Sequence, residues 1–178
     1  YLEKMVPPPV AWSSCKTPIQ ASLRWHLSTF TSPDVPVALP DNETLADAVC
    51  CDTRAAYFAE PQNLYRAPRV KLFDSLPEAT TTFRDSACGL PLFHAPLNRS
   101  LDDFHADTDE HGWPSFRQAE VVKENVRVDP ETGFVFSTCG THLGTYLPDA
   151  HGPRWCIDLV CIAGHEKKQG PSAGSTAW

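Results

Sequence analysis

At 178 residues, the chain has room for one compact domain and an ordered extension, since a core of that size already buries most of its apolar surface. Hydrophobic residues at 42% and charged residues at 21% exclude a disordered chain, and no apolar run reaches the roughly 20 residues of a membrane span. A formal charge of −7 excludes nucleic acid or an anionic membrane as general partner, because both require a basic surface.

The sequence opens on Tyr1 rather than methionine, as expected if an upstream segment has been removed. Residues 1–79 are rich in proline, from Pro7-Pro8-Pro9 to Pro77, and read as an arm that wraps rather than folds alone. One stretch of it, 42–57, predicts a short helix: Asn42 is a cap, Glu43 and Asp47 lie in the first turns, and Leu45, Ala48 and Val49 form an apolar stripe. From Thr80 the texture turns to β. Residues 80–83, 120–123, 126–128, 133–136 and 155–162 are strand-like runs, and Asp129-Pro130-Glu131-Thr132-Gly133 is a hairpin turn between two of them. The acidic, histidine-bearing stretch 102–111 is taken as a solvated loop, and 166–178 as a loosely held tail. The expected class is mainly β, with small antiparallel sheets over 80–165.

Seven cysteines, Cys15, Cys50, Cys51, Cys88, Cys139, Cys156 and Cys161, leave at least one thiol unpaired and lean towards an oxidising compartment. The sequons Asn42-Glu43-Thr44 and Asn98-Arg99-Ser100, which would make a secreted chain a glycoprotein, lean the same way.

Chemistry gathers around Cys156. Alternation along 154–159 puts Arg154, Cys156 and Asp158 on one strand face and Trp155, Ile157 and Leu159 on the other. A guanidinium on the thiol's face favours the thiolate, and Asp158 opposes it. A buried structural cysteine beside a surface ion pair is the competing reading.

Four blocks follow one another: Cys88-Gly-Leu-Pro-Leu-Phe93, Gly112-Trp-Pro-Ser-Phe116, Cys139-Gly-Thr-His-Leu-Gly144 with Leu147-Pro-Asp149, and Gly152-Pro-Arg-Trp-Cys-Ile-Asp158. Together, over about residues 80–163, they resemble the type B (SelR-like) methionine-R-sulfoxide reductases. The resemblance implies two antiparallel sheets of the β-tent-like type around the site, and reduction of methionine-R-sulfoxide, free or in proteins, as a repair reaction. In such a reaction Cys156 attacks the sulfoxide sulfur and becomes a sulfenic acid. It implies that Trp113 receives the substrate methyl, with Phe116 and Thr145 on the substrate side, and that His142 and Arg154 surround the oxygen. Two positions depart from the family: Thr145 replaces a second histidine, and Asp158 replaces an asparagine. Each is expected to slow the reaction, since a positioned proton donor contributes about 10²- to 10⁴-fold. His111 and His151 are the substitutes within the sequence.

Many members hold zinc between two Cys-x-x-Cys knuckles, but here Asp85 and Phe136 stand at the upstream positions, so no metal and no other cofactor is expected. In the family geometry Cys88 and Cys139 face each other, either as a disulfide or as two thiols. Recycling requires an external thiol such as thioredoxin, and Cys50 or Cys51 is the candidate resolving cysteine; their alternative is a structural disulfide with Cys15 or Cys161. Three functions remain open: the reductase, a catalytically weak or silent module that binds an assembly partner through its arm, and a related thiol reaction on another substrate.

Overall fold

The computed structural model describes residues 3–4, 47–51, 57–60, 62–67, 70 and 72–163. The tail, Cys15, His165 and most of the arm lie outside the described residues. The fold is mainly β, with two antiparallel sheets in the order β10-β3-β4 and β5-β9-β8-β7-β6 and a two-stranded pair, β1-β2. The strands are β1 (Glu3–Lys4), β2 (Tyr57–Ala59), β3 (Thr81–Asp85), β4 (Pro91–Ala95) and β5 (Ser115–Phe116), then β6 (Val126–Val128), β7 (Phe134–Ser137), β8 (His142–Tyr146), β9 (Trp155–Ile157) and β10 (Ile162–Ala163).

The hairpin expected at 129–133 joins β6 to β7. Asp129 accepts from the Glu131 N–H and the Thr132 hydroxyl, and Gly133 takes the left-handed conformation at φ 79°, as such a turn requires. Two expected strands fail. Residues 120–123 make only a bridge, Phe93 to Val121, after a 3₁₀ turn at Gln118–Glu120; Glu120 is drawn inward to Arg99 and the Leu97 N–H. The run 155–162 breaks after Ile157 into a 3₁₀ turn, Leu159–Cys161, before β10 moves to the other sheet.

The solvated loop expected over 102–111 is instead a helix. Of the helices α1 (Gln62–Arg66), α2 (Leu72–Ser75) and α3 (Leu101–His111), the last is the longest described. Ser100 caps it by accepting the Asp103 N–H, Asp102 and Asp103 lie in its first turn, and Gly112 ends it in the left-handed conformation. Phe104 and Thr108 are its buried residues, so one aromatic ring provides most of its anchorage.

That ring belongs to the cluster that joins the layers. Phe93 of β4 stacks on Phe116 of β5 at 4.2 Å, and Phe83 of β3 and Phe104 of α3 meet Phe116 at 5.2 and 5.4 Å. All four are fully buried. Phe116 is therefore the keystone of the core rather than a substrate-binding residue. It pairs with Trp155 and so faces away from Cys156.

The described arm packs on this body. Tyr65 donates to Asp109 at 2.7 Å, and Phe73 stacks on His105 at 4.3 Å. Of the helix expected over 42–57, residues 47–51 form a single π-type turn, and Tyr57 is already in β2. The turn is fixed by sulfur: Cys50 is bonded to Cys161, and Cys51 is disulfide-bonded as well.

Phe116→Ala is expected to lower the unfolding free energy by about 3–5 kcal/mol in urea titration, against less than about 0.5 for Leu147→Ala, since Leu147 is 46% exposed.

Candidate functional site

The site lies on one face of the five-stranded sheet. In a paired sheet, residues opposite one another share a face, and Ser115, Cys156, Thr145 and Phe134 form such a row across β5, β9, β8 and β7. Strands β8 and β9 come this close because position 144 is glycine: a Cβ there would sit 2.1 Å from the Cys156 carbonyl oxygen. Ile157 points the other way into the core, as the alternation predicts, and Leu159 is buried in that core from the 3₁₀ turn after β9.

Arg154 and Asp158 join Cys156, as expected from their spacing. The Arg154 guanidinium bonds the thiol, donates to Ser115 Oγ at 3.1 Å and is almost wholly buried. Burial nevertheless dominates the thiol, whose pKa is pushed up to about 12; Arg154 pulls down, while Asp158 and Glu60 push further up. Among the described residues Cys156 is the free cysteine.

His142, at the start of β8, is fully buried, with its ring edge-on to Phe134 and Phe136 at 5.7 and 5.6 Å. Its Nδ1 lies 2.9 Å from the Val49 carbonyl. A carbonyl only accepts, so Nδ1 carries the proton. Burial lowers its pKa to about 4, leaving a neutral imidazole at physiological pH.

The arm supplies what the sequence did not reveal. Glu60 follows β2 and is fully buried. Its N–H donates to Asp158 Oδ1 at 3.2 Å, its carbonyl accepts the Trp113 indole N–H at 3.0 Å, and its Oε1 accepts the Val160 N–H at 2.8 Å. Glu60 Oε2 is buried with no hydrogen-bond partner among the described residues. Burial raises the Glu60 pKa to about 8, against the pull of the Val160 and Leu159 N–H groups. No local pattern marks Glu60; its contacts span about 100 positions.

The remaining expected residues sort clearly. Cys50 and Cys51 are both held in disulfides, which corrects the resolving role expected for them: β9 ends in a turn that swings Cys161 to the arm. Cys88 and Cys139 are bonded to each other, Cα to Cα 6.6 Å. Zinc does not fit this set. The two sulfurs satisfy one another, and the Asp85 carboxylate accepts from Ala87 N, Cys88 N, Ser137 Oγ and Thr141 Oγ1.

His111 and His151 belong to a different cluster. There Arg117 bridges Asp107 and Asp149 at 2.8 and 3.0 Å, and Arg99 holds Asp107 and Glu120. His111 lies 3.5 Å from both Asp107 and Asp149, while the His151 N–H donates to Asp149. A cavity of about 510 Å³ beside this cluster is lined by Arg99, Asp107, Arg117 and His151 but not by Cys156 or Trp113. Asp107 in its wall is already paired with Arg99 and Arg117, and the cavity holds none of the residues around the thiol.

With that geometry in place, relatives can be compared. No profile of a known protein family matches the chain. Peptide methionine sulfoxide reductases MsrB from Pseudomonas syringae pv. syringae (strain B728a) and Pseudomonas savastanoi pv. phaseolicola (strain 1448A / Race 6) are each 36% identical over 94 residues, 51% of this chain and 55% of theirs. The protein of that name from Pseudomonas putida (strain GB-1) is 34% identical over 88 residues, 48% of this chain and 53% of its own. Over this segment the chain resembles the methionine-R-sulfoxide reductases. It spans about half the length of the relatives it matches, and the two antiparallel sheets agree with the reductase-type fold.

Two measurements follow. At pH 8 in the absence of reductant, iodoacetamide should alkylate Cys156 about a thousandfold more slowly than a free cysteine, on thiolate fraction alone, and at the ordinary rate after unfolding. Glu60 in the folded state keeps a proton that the unfolded chain gives up above its ordinary 4.5, so its contribution to stability falls as pH rises from about 5 to 8. Native protein should lose urea resistance relative to Glu60→Gln across that window.

Proposed function

We propose that the chain is a thiol-dependent reductase of methionine-R-sulfoxide, free or in proteins. The row of Cys156 and Thr145 beside Arg154, with Trp113 bonded to the Glu60 carbonyl, in a chain about half of which aligns with the named reductases, supports this reading. The Cys156 sulfur attacks the sulfoxide sulfur, the oxygen takes a proton and leaves with Cys156 as a sulfenic acid, and methionine is released. Cys156 loses two electrons and the substrate sulfur gains them. An external dithiol such as thioredoxin then reduces the sulfenic acid to thiol and water, becoming a disulfide itself, because Cys50, Cys51, Cys88, Cys139 and Cys161 are all committed to disulfide bonds. Trp113 offers a flat apolar surface to the substrate methyl, and Arg154 steadies the developing thiolate. No metal takes part in this reading.

A second reading has its own support. Cys156 is 9% exposed and its thiol is strongly protonated, the state expected of a silent reductase-type module that engages an assembly partner through its arm.

Separated R and S epimers of a methionine-sulfoxide peptide, with dithiothreitol as donor, discriminate the two. Turnover of the R epimer alone, lost in Cys156→Ser, is the expected outcome. Absence of turnover together with a Cys156 that resists thiol probes in the folded chain moves the assignment to the module.

A further inference from the structure

We propose that Glu60, carried by the arm, is the acid that hands its proton to the sulfoxide oxygen, a part the resemblance gives to His142. The inference rests on the reductase reading and adds a catalytic group that lies outside the stretch resembling the reductases.

His142 is poorly placed for the task. Its Nδ1–H is given to the Val49 carbonyl and its ring stays neutral above pH 4 or so, leaving no mobile proton where the oxygen would develop charge. Thr145, at the place of the missing histidine, is a hydroxyl with no useful acidity. The Arg154 guanidinium is engaged with the thiol and with Ser115 Oγ. Asp158 accepts the Glu60 N–H at 3.2 Å and so serves to seat that residue.

Glu60 has the position and the proton. Three hydrogen bonds hold it, two to the segment after β9 through Asp158 and Val160 and one to Trp113, so its placement does not depend on one contact. The Trp113 bond is the informative one: the indole proposed to receive the substrate methyl is tied to the residue proposed to meet the oxygen. A sulfoxide entering beside Cys156 has its methyl and its oxygen recognised by one linked pair. Oε2, fully buried and without a hydrogen-bond partner among the described residues, is the atom assigned to meet it, and an unmet buried oxygen gains most from a hydrogen bond. The titratable groups placed against Glu60 are Cys156 and Asp158, from β9 and its end; Arg154 lies beside the same thiol, and β2 and the 47–51 turn pack against β8, the strand that carries His142.

The step balances. Cys156 thiolate, the Glu60 carboxylic acid and R₂S=O give Cys156 sulfenic acid, Glu60 carboxylate and R₂S: the substrate S=O bond breaks, a Cys156 S–O bond forms, the proton moves from Oε2 to that oxygen, and the electron pair of the thiolate passes to the substrate sulfur. The reactive form needs the thiol ionised and Glu60 protonated. With the thiol ionising near pH 12 and Glu60 near 8, the population of that form rises tenfold per pH unit below about 8 and is level above it.

The test is a single turnover of the R epimer without reductant, on the full chain, with methionine counted from pH 5.5 to 10. Native protein should show a rate rising with pH and bending to a plateau near pH 8. Glu60→Gln should fall about 10²- to 10⁴-fold at pH 7 and lose the bend, while Glu60→Asp keeps a bend at reduced rate. Iodoacetamide alkylation of Cys156, which needs the thiolate but no acid, should be as fast or faster in Glu60→Gln; a drop in both reactions would mark Glu60 as structural and overturn the proposal. So would a native rate with the bend intact in Glu60→Gln. No methionine from the native chain, or undiminished product in Cys156→Ser, removes the reductase reading and this proposal with it.

Discussion

The covalent tie between Cys50 and Cys161, 111 positions apart, decides which surface of this molecule meets water. Closing so long a loop in the unfolded chain removes conformational freedom on the order of 4 to 5 kcal/mol in the chain-entropy account, enough to hold a segment that has little core of its own. Once Cys50 is fixed at the 3₁₀ turn after β9, its neighbour Val49 reaches His142 and the chain returns through β2 to place Glu60 against Asp158 and Trp113. Both sulfurs are fully buried, so the tie is part of the core.

Desolvation follows from that cover and moves three groups in the directions it must. Burial disfavours charge, so Cys156 and Glu60 rise while His142 falls. Arg154 lies at bonding distance from the thiol, yet its attraction is outweighed. The guanidinium is itself turned toward Ser115 and lies 3.8 Å from the Asp149 carboxylate, so its charge is divided. A site made this way holds its protons tightly, which suits delivery of one to an oxygen that gains negative charge and handicaps formation of the nucleophile.

How far the sequence foretold this depends on whether a feature is local. The alternation of Arg154, Cys156 and Asp158, the 129–133 turn and the facing of Cys88 and Cys139 were legible because each rests on period, turn chemistry or a recurring motif. Helix α3 was misread since its apolar stripe is little more than Phe104, although Ser100 and Gly112 were available as cap signals. Phe116 was misassigned because the Gly-Trp-Pro-Ser-Phe block says nothing about which face its last residue takes; pairing with Trp155 turns it inward. The strand predicted past Ile157 contained too many apolar residues to show its break. Glu60 was invisible for a deeper reason. A lone glutamate between Ala59 and Pro61 carries no signal, and its role arises only when a disulfide more than a hundred residues long brings the arm home.

The departures from the reductase pattern make more sense jointly than one by one. Where the family pattern has a metal holding two knuckles, Cys88 bonds Cys139 and the buried Asp85 gathers the N–H groups of one knuckle and the hydroxyls of the other. An isolated carboxylate in that place would be costly, but four donors compensate it. The same logic applies across the sheet. Asp158, taken alone, is a burden on the thiolate; next to the arm it is the acceptor that seats Glu60 by its N–H. Thr145, taken alone, is a lost acid; with Glu60 as the proposed proton donor, a histidine there is no longer required for that proton. Arm and site are therefore best regarded as one constructed unit, in which Asp158 is the departure the arm touches and Thr145 the one it makes good.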